Sequence, residues 1–351
     1  MTEGFFAVSG LRPGAARSRM AAWMAAALLA VIPASASAET ILKMATTIPP
    51  ANPLVSQFFE PWAKRVNEQA KGEFQIQVIS GPTLANAVNV WDRTVNGVVD
   101  IGWGIQGAVN LPFPKSTIIG LPLLVPDGQL PAGSVALWRL YASGLIADEY
   151  KDVKPLALIG APIQGLSTKT PVTKLEDVKG TKLRASDRTV ADIVTALGGS
   201  PISIPAPEVY QALSQGVVGG AVAGWVLLGT FKLTEVAKYH VEGLPLGAPA
   251  GFVVMNKQSY GKLSAKGKQI LDQNTGESFV RDFATFFEKL GHGIRDKAKA
   301  DPSHHFYTLS ADQAAQWKKV LEPVIDKWTK ETPNGDKILA AFRADLAKLM
   351  K

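Results

Sequence analysis

Short apolar strands alternate with amphipathic helices along the first hundred residues of the folded part, and this order constrains the fold most. Apolar or alternating residues at 41–45 and 74–78 are typical of strands, and the segment 97–102 turns into another strand. Apolar side chains at helical spacing predict helices over 59–70 and about 86–96. Because this order places successive strands side by side, we expect an α/β fold with a largely parallel sheet.

The middle of the chain repeats the same order. Strands are expected at 156–160, 165–168 and 180–185, and a helical face over 190–197 stops at two glycines. A length of 351 residues is also sufficient for two domains. The sequence therefore predicts two α/β lobes of similar plan.

The C-terminal third is predicted to be mostly helical. One helical pattern begins near Ser264 and runs towards Ala300. Another begins at Ser310, where Gln313 three residues later completes a capping box. A last helix is expected over about 337–350.

Residues 1–38 have the composition of a secretory leader. Three arginines between residues 12 and 19 precede an uncharged apolar stretch, which closes on Ser-Ala-Ser-Ala at 35–38. A positive start, a short apolar core and a small-residue end predict a signal peptide that is cleaved after Ala38. A retained anchor is the alternative, but the apolar core over 20–33 is shorter than the roughly 20 residues that span a bilayer. We therefore expect an exported protein.

The distribution of charge argues against a nucleic-acid partner, although the formal net charge is +7. Removal of the leader takes away three arginines and Glu3, and the remaining basic residues are interspersed with acids. They form no basic stripe of the kind that tracks a phosphate backbone. The absence of cysteine excludes thiolate nucleophiles, cysteine–zinc sites and iron–sulfur clusters.

A search for catalytic motifs gives no positive indication of an enzyme. The histidines lack the spacing of a metal site, and His304 and His305 are predicted to form a solvent-facing pair in a loop. The chain has no P-loop, no dinucleotide-binding glycine fingerprint and no nucleophile elbow. Adjacent acids such as Asp148 and Glu149 need not converge in the fold. We expect no cofactor.

Arg184 is the polar residue with the most informative position. It ends a predicted strand, just before the turn 185–187. Ligands of open α/β sheets bind at the carboxyl ends of strands, and the guanidinium fork suits a bidentate contact with a carboxylate. A solvated surface arginine is the alternative on position alone.

Several segments resemble the solute-binding subunits of tripartite ATP-independent periplasmic (TRAP) transporters, and the resemblance covers essentially all of the chain after the leader. The matching segments are Trp62-Ala63-x-x-Val66-Asn67 followed by Gly72, then 96–102, 121–124, 175–184, 207–213 and 251–257. Each motif is weak alone, but six in the same order make a specific signal.

The resemblance implies a two-lobed periplasmic binding protein fold with a ligand cleft between the lobes and a long C-terminal bracing helix. Lobe I would comprise residues 39–161 and 249–289, and lobe II residues 162–248 and 290–351. The chain would cross between them near Ala161 and Pro249. The lobes would close on a small organic acid in the periplasm and deliver it to the membrane permease; we expect a monomer.

The resemblance also implies site residues. Arg184 falls on the strand-end arginine that grips the substrate carboxylate. Thr47 and Trp103 fall on strand-to-loop junctions that face the cleft, although a core position is equally open for Trp103.

The departures from the family narrow the expected ligand. Gln164 stands where many members carry a second arginine, and Gly219 stands where an acid is common. One cation, one amide and the nearby Trp103 and Trp225 predict a monocarboxylate with an apolar or aromatic body, such as a keto acid or an aromatic acid. Two other functions stay open: a sensor subunit that presents its ligand to a receptor kinase, and a periplasmic enzyme.

Overall fold

Two mixed sheets organise the chain in this computed structural model, which describes residues 39–109 and 113–351 and a few positions before residue 11. The leader predicted over 1–38 lies almost wholly outside the described residues. No helix in the described part of the chain combines the length and the apolar composition that a bilayer crossing requires.

The first sheet has five strands in the order β2-β1-β3-β10-β4. Its strands are β1 (Thr40–Thr46), β2 (Phe74–Ser80), β3 (Ile101–Ile105), β4 (Val153–Gly160) and β10 (Ala250–Asn256). β1 runs parallel to β2 and β3, whereas β10 runs antiparallel to β3 and β4.

The second sheet has six strands in the order β11-β9-β5-β8-β6-β7. Its strands are β5 (Gln164–Thr168), β6 (Lys182–Ala185), β7 (Ser200–Ser203), β8 (Gly220–Gly224), β9 (Tyr239–Glu242) and β11 (His305–Thr308). β6 runs parallel to β7 and β8, and β9 parallel to β11, while β5 is antiparallel to both of its neighbours. The α/β class is confirmed, but the expectation of largely parallel sheets is wrong.

The antiparallel pairs involve β5 and β10, the strands that follow the first two passages of the chain between the sheets; a third passage runs from β10 through residues 257–304 to β11. β4 leads through residues 161–163 into β5, and β9 leads through 243–249 back into β10. The two crossings are hydrogen-bonded to each other, from the Ala161 N–H to the Pro249 carbonyl (2.7 Å) and from the Gln164 N–H to the Gly247 carbonyl (2.8 Å). Gly247 must be glycine, because its φ is 89° and a Cβ there would overlap the carbonyl oxygen of Gly120.

The helices cover the faces and ends of both sheets. They are α1 (Glu60–Gln69), α2 (Val90–Val95), α3 (Leu130–Ala142), α4 (Arg188–Ala196), α5 (Val209–Ser214), α6 (Trp225–Thr230), α7 (Lys257–Lys262), α8 (Ala265–Gln273), α9 (Glu277–Ala300), α10 (Ala311–Glu331) and α11 (Gly335–Leu349). The pattern expected to run from Ser264 to Ala300 is two helices, since Gly276 between them has a φ of 77°. The capping box of Ser310 and Gln313 is confirmed at the start of α10.

The long helix α9 contacts both lobes. In the first lobe it packs on α3 and β4, and its Phe283 also stacks on Phe58, in the turn before α1, with ring centroids 4.6 Å apart. Further along, it packs on α6, and Ile294 lies so close to Gly229 that a Cβ there would be 2.9 Å from the isoleucine side chain. This is the predicted bracing helix.

Candidate functional site

A cavity of about 380 Å³ lies where the ends of strands from both sheets meet. The first lobe contributes Gln106, directly after β3, and the second contributes Gln164 at the start of β5 and Asp187 two residues after β6. Apolar side chains of the turn after β3 and of α10 complete the wall, among them Phe113, Leu121, Val324 and Trp328. Strand ends are where open α/β sheets bind ligands.

The lobes touch each other beside this cavity. A Cβ added to Gly107 would lie 3.1 Å from the Cβ of Asp187, so the two backbones approach closely. The amide of Asn52, in the loop after β1, donates a hydrogen bond to the Thr230 hydroxyl at the end of α6 (3.4 Å). The conformation described is therefore one in which the lobes are in contact.

Arg184 is buried in the second lobe, with 4% of its surface exposed. Its Nε–H donates to the carbonyl of Ile204 (3.1 Å), whereas Nη1 has no hydrogen-bond partner among the described residues. Burial lowers the pKa of Arg184 to about 10, and the Asp187 carboxylate opposes that shift. A buried cation with an unpaired N–H group is a strong candidate for contact with an anion.

Arg184 and Gln164 project from opposite faces of the second sheet. Gln164 is paired with Gly224 of β8, and Arg184 with Ala221 of the same strand. Residues at odd separation along a strand point to opposite faces, so the two predicted site residues diverge. Gln164 lines the cavity and Arg184 does not. Asp187 lines the cavity as well, and its carboxylate lies close enough to Arg184 to favour the charged guanidinium.

The other predicted site residues lie outside the lining of the cavity. Trp103 is 3% exposed in the core of the first lobe, and its ring centroid lies 5.0 Å from that of Phe283 and 5.9 Å from that of Phe59. This is the core position that the sequence left open as the alternative for Trp103. Trp225 is half-buried and packs against His240 and Phe306, 4.8 and 5.7 Å away. Thr47 is half-buried directly after β1. Their contact with a ligand stays a prediction.

The expectation of a solvent-facing histidine pair at 304–305 is wrong for His304. Its side chain is 4% exposed, and its Nδ1 lies 2.9 Å from His240 Nε2. His240 also contacts the Ser167 hydroxyl (2.9 Å), and burial lowers the pKa of His240 to about 3. β11 brings His304 here by pairing with β9.

A polar chain behind Gln106 was not foreseen from the sequence. The Gln106 amide donates to the Tyr150 hydroxyl (2.5 Å), which lies 2.8 Å from the Ser116 hydroxyl. Ser116 in turn hydrogen-bonds the Glu149 carboxylate. The adjacent acid Asp148 diverges, as the sequence allowed, to an ion pair with Lys115 (2.7 Å). The only sequence signal was the position of Gln106 at a strand end.

Comparison with known proteins gives consistent results. The sequence profile of the bacterial extracellular solute-binding protein family 7 (DctP) matches residues 44–332. The protein named outer membrane transporter protein TsaT, from Comamonas testosteroni, is 25% identical over 333 residues, covering 92% of this chain and 96% of that protein.

Two solved structures are similar over most of the chain. A marine metagenome TRAP solute-binding protein specific for aromatic acid ligands, co-crystallised with 3-hydroxybenzoate, is 27% identical, with a TM-score of 0.83 over 89% of this chain and 99% of that one. A TRAP solute-binding protein from Rhodoferax ferrireducens T118, with copurified benzoate, is 27% identical, with a TM-score of 0.82 over 89% and 98%.

Proposed function

Since the chain belongs to family 7 of the bacterial extracellular solute-binding proteins, the solute-binding subunits of TRAP transporters, we propose that it captures an aromatic monocarboxylate. Proteins of this family are extracytoplasmic, bind small organic acids and work with a membrane permease. The two-lobed fold described above is the fold of that family. The ligand class and the site residues are our proposal.

The buried guanidinium of Arg184 carries the proposal. Its Nη1, which has no hydrogen-bond partner in the described part of the chain, and its lowered pKa indicate a charge that a carboxylate would compensate. We propose that the carboxylate binds Arg184 when the ligand enters the open form and keeps this contact on closure, with the body of the ligand in the cavity. Asp187 lines the cavity and acts electrostatically on Arg184, which supports this arrangement. Thr47 and Trp225 would contact the ligand in that open form, and Trp103 would support the site from the core.

The walls of the cavity favour a single carboxylate with an aromatic body. Its volume lies in the range that small-molecule sites occupy, and apolar side chains from both lobes line it. The amide of Gln164 supplies no second cation, and the cation that does line the cavity, Arg188, is already paired with the Glu331 carboxylate (2.9 Å). The aromatic acids named for the similar solved structures agree with this reading.

Capture would occur by rotation of the lobes about the two crossings. All strands of the first sheet fall within residues 39–161 and 249–289, and those of the second within 162–248 and 290–351, which supports the proposed lobes. A ligand held by one lobe gains contacts from the other only on closure, so it shifts the population towards the closed form. We further propose that residues 1–38 are removed on export to the periplasm, and that the protein acts as a monomer without turnover of its ligand.

Calorimetric titration with benzoate and with succinate tests the ligand class. We expect benzoate to bind and succinate not to, and Arg184→Ala to weaken benzoate binding by about 3–5 kcal/mol, several hundred-fold or more. Arg184→Lys should recover only part of this, because an ammonium lacks the fork. Arg343→Ala, at an exposed position on α11, is the control and should bind normally. Unchanged affinity in Arg184→Ala, or tight binding of succinate alone, contradicts the proposal.

A further inference from the structure

Gln106 is the cavity residue whose hydrogen bonding is incomplete. Its side chain is 3% exposed, and its Nε2 donates to the Tyr150 hydroxyl. Its Oε1 has no partner among the residues that the structure describes, although Gln106 lines the cavity. Buried amide oxygens are almost always hydrogen-bonded, so this acceptor indicates a missing donor.

The chain of hydrogen bonds behind Gln106 determines which end of its amide is the acceptor. The Glu149 carboxylate accepts the backbone N–H groups of Lys115 (2.6 Å) and Ser116 (3.0 Å) as well as the Ser116 hydroxyl. Because the Ser116 proton is committed to Glu149, the Ser116 oxygen accepts the proton of Tyr150 (2.8 Å).

The Tyr150 oxygen is then left with only lone pairs for Gln106. It must accept from an N–H group, which places Nε2 on Tyr150 and leaves Oε1 as the free acceptor. Tyr150 is fully buried against Trp91 and Phe113, so it holds the amide in a fixed place. The acceptor is therefore preorganised by Tyr150, Ser116 and Glu149, none of which lines the cavity.

We propose that Gln106 Oε1 accepts a hydrogen bond from a hydroxyl group on the ligand, so that the protein selects hydroxylated over unsubstituted aromatic monocarboxylates. This inference rests on the proposed function and adds the substituent to it. The neighbouring hydroxyl of Thr117 does not compete, because it donates to the Pro114 carbonyl (2.8 Å) and accepts from Trp328 Nε1 (3.1 Å). A site built around a polar group rejects the analogue that leaves this group unpaired.

Calorimetric titration with benzoate, 3-methylbenzoate and the three hydroxybenzoates measures this selectivity. We expect the best hydroxybenzoate to bind about tenfold to a hundredfold tighter than benzoate, the range that follows from satisfying one buried acceptor. The methyl analogue has a similar shape without the donor and should not share the gain. Gln106→Met should bring the hydroxylated and unsubstituted acids to within a few-fold of each other, because methionine offers no comparable acceptor.

Two further variants keep the test decisive. Tyr150→Phe leaves Gln106 in place but releases its amide, so the preference for hydroxylated acids should shrink. Gln211→Met, at an exposed position on α5, should leave the preference intact. Equal binding of hydroxylated and unsubstituted acids by the unmodified protein, or a preference that survives both Gln106→Met and Tyr150→Phe, overturns this inference alone. Binding of none of these acids overturns it together with the proposed function.

Discussion

Replacement of Arg184 by methionine should stabilise the ligand-free protein while it removes carboxylate binding. Arg184 is 4% exposed, and its pKa falls from 12.5 to about 10 because burial disfavours the charge. At about 1.4 kcal/mol per pKa unit, the charged group destabilises the folded state by about 3 kcal/mol at every pH well below 10. Methionine has a similar length and carries no charge.

The substitution also removes the hydrogen bond from Nε to the Ile204 carbonyl. An unpaired carbonyl costs about 1–3 kcal/mol, so the net gain in unfolding free energy should be about 0–2 kcal/mol. Urea denaturation of the ligand-free protein at pH 7 measures this gain, with calorimetry as the measure of binding.

Arg139→Met provides the matched control. The Arg139 guanidinium is paired with Glu277 through two hydrogen bonds of 2.8 and 3.0 Å, and this pairing raises the pKa of Arg139. Its loss should lower stability and leave binding unchanged. If Arg184→Met instead destabilises the ligand-free protein as Arg139→Met does, Arg184 is an ordinary structural arginine and the reasoning fails.

Two further predictions concern the scaffold. Asn67→Ala should lower the unfolding free energy by about 1–3 kcal/mol in urea, because the Asn67 amide forms hydrogen bonds with both the N–H (2.7 Å) and the carbonyl (2.9 Å) of Ile76 in the edge strand β2. A loss no larger than that of the exposed neighbour Glu68→Ala would contradict this role. The pKa of His240 is about 3 in the folded state and near 6.5 in the unfolded state, so on acidification protons bind the unfolded state first. The unfolding free energy of the unmodified protein should therefore fall by up to about 1.4 kcal/mol per pH unit between pH 6 and 4. His240→Gln removes this group and should make the fall less steep. Urea denaturation at several pH values measures this. If the unfolding free energy of the variant falls with pH as steeply as that of the unmodified protein, His240 is not the source of the acid sensitivity.

The helices and strands that could be predicted from the sequence are those marked by a local pattern, either apolar spacing or a capping motif. Alternating or apolar runs identified β1, β2 and β4, and the Ser310–Gln313 capping box marked the start of α10, because these signals are local. β9 and β11 were missed because they are four residues long and include polar residues such as His240 and His305. Their stability comes from pairing with each other across 66 positions of sequence, which no local pattern records.

The site was only partly predictable for a related reason. Strand ends were the right places to search, since Gln164 and Asp187 both line the cavity. The divergence of Arg184 from Gln164 depends on the register of two strands against β8, and a shift of one residue in either pairing would reverse it. The amino acids next to Arg184 and Gln164 in the sequence carry no information about how their strands are aligned with β8.

The chain from Gln106 to Glu149 shows the same limit for hydrogen bonding. Its members come from the end of β3, the turn Ser116–Gly120 and the segment before β4, which only the fold brings together. In the sequence, Glu149 is one of two adjacent acids, and nothing indicated whether the two side chains converge or diverge in the fold. The structure sends Asp148 outward to Lys115 and Glu149 inward to Ser116, because only the second faces two backbone N–H groups and a buried hydroxyl. That inward turn makes Ser116 a donor, Tyr150 an acceptor of the Gln106 amide, and Gln106 Oε1 the group that a ligand hydroxyl would meet.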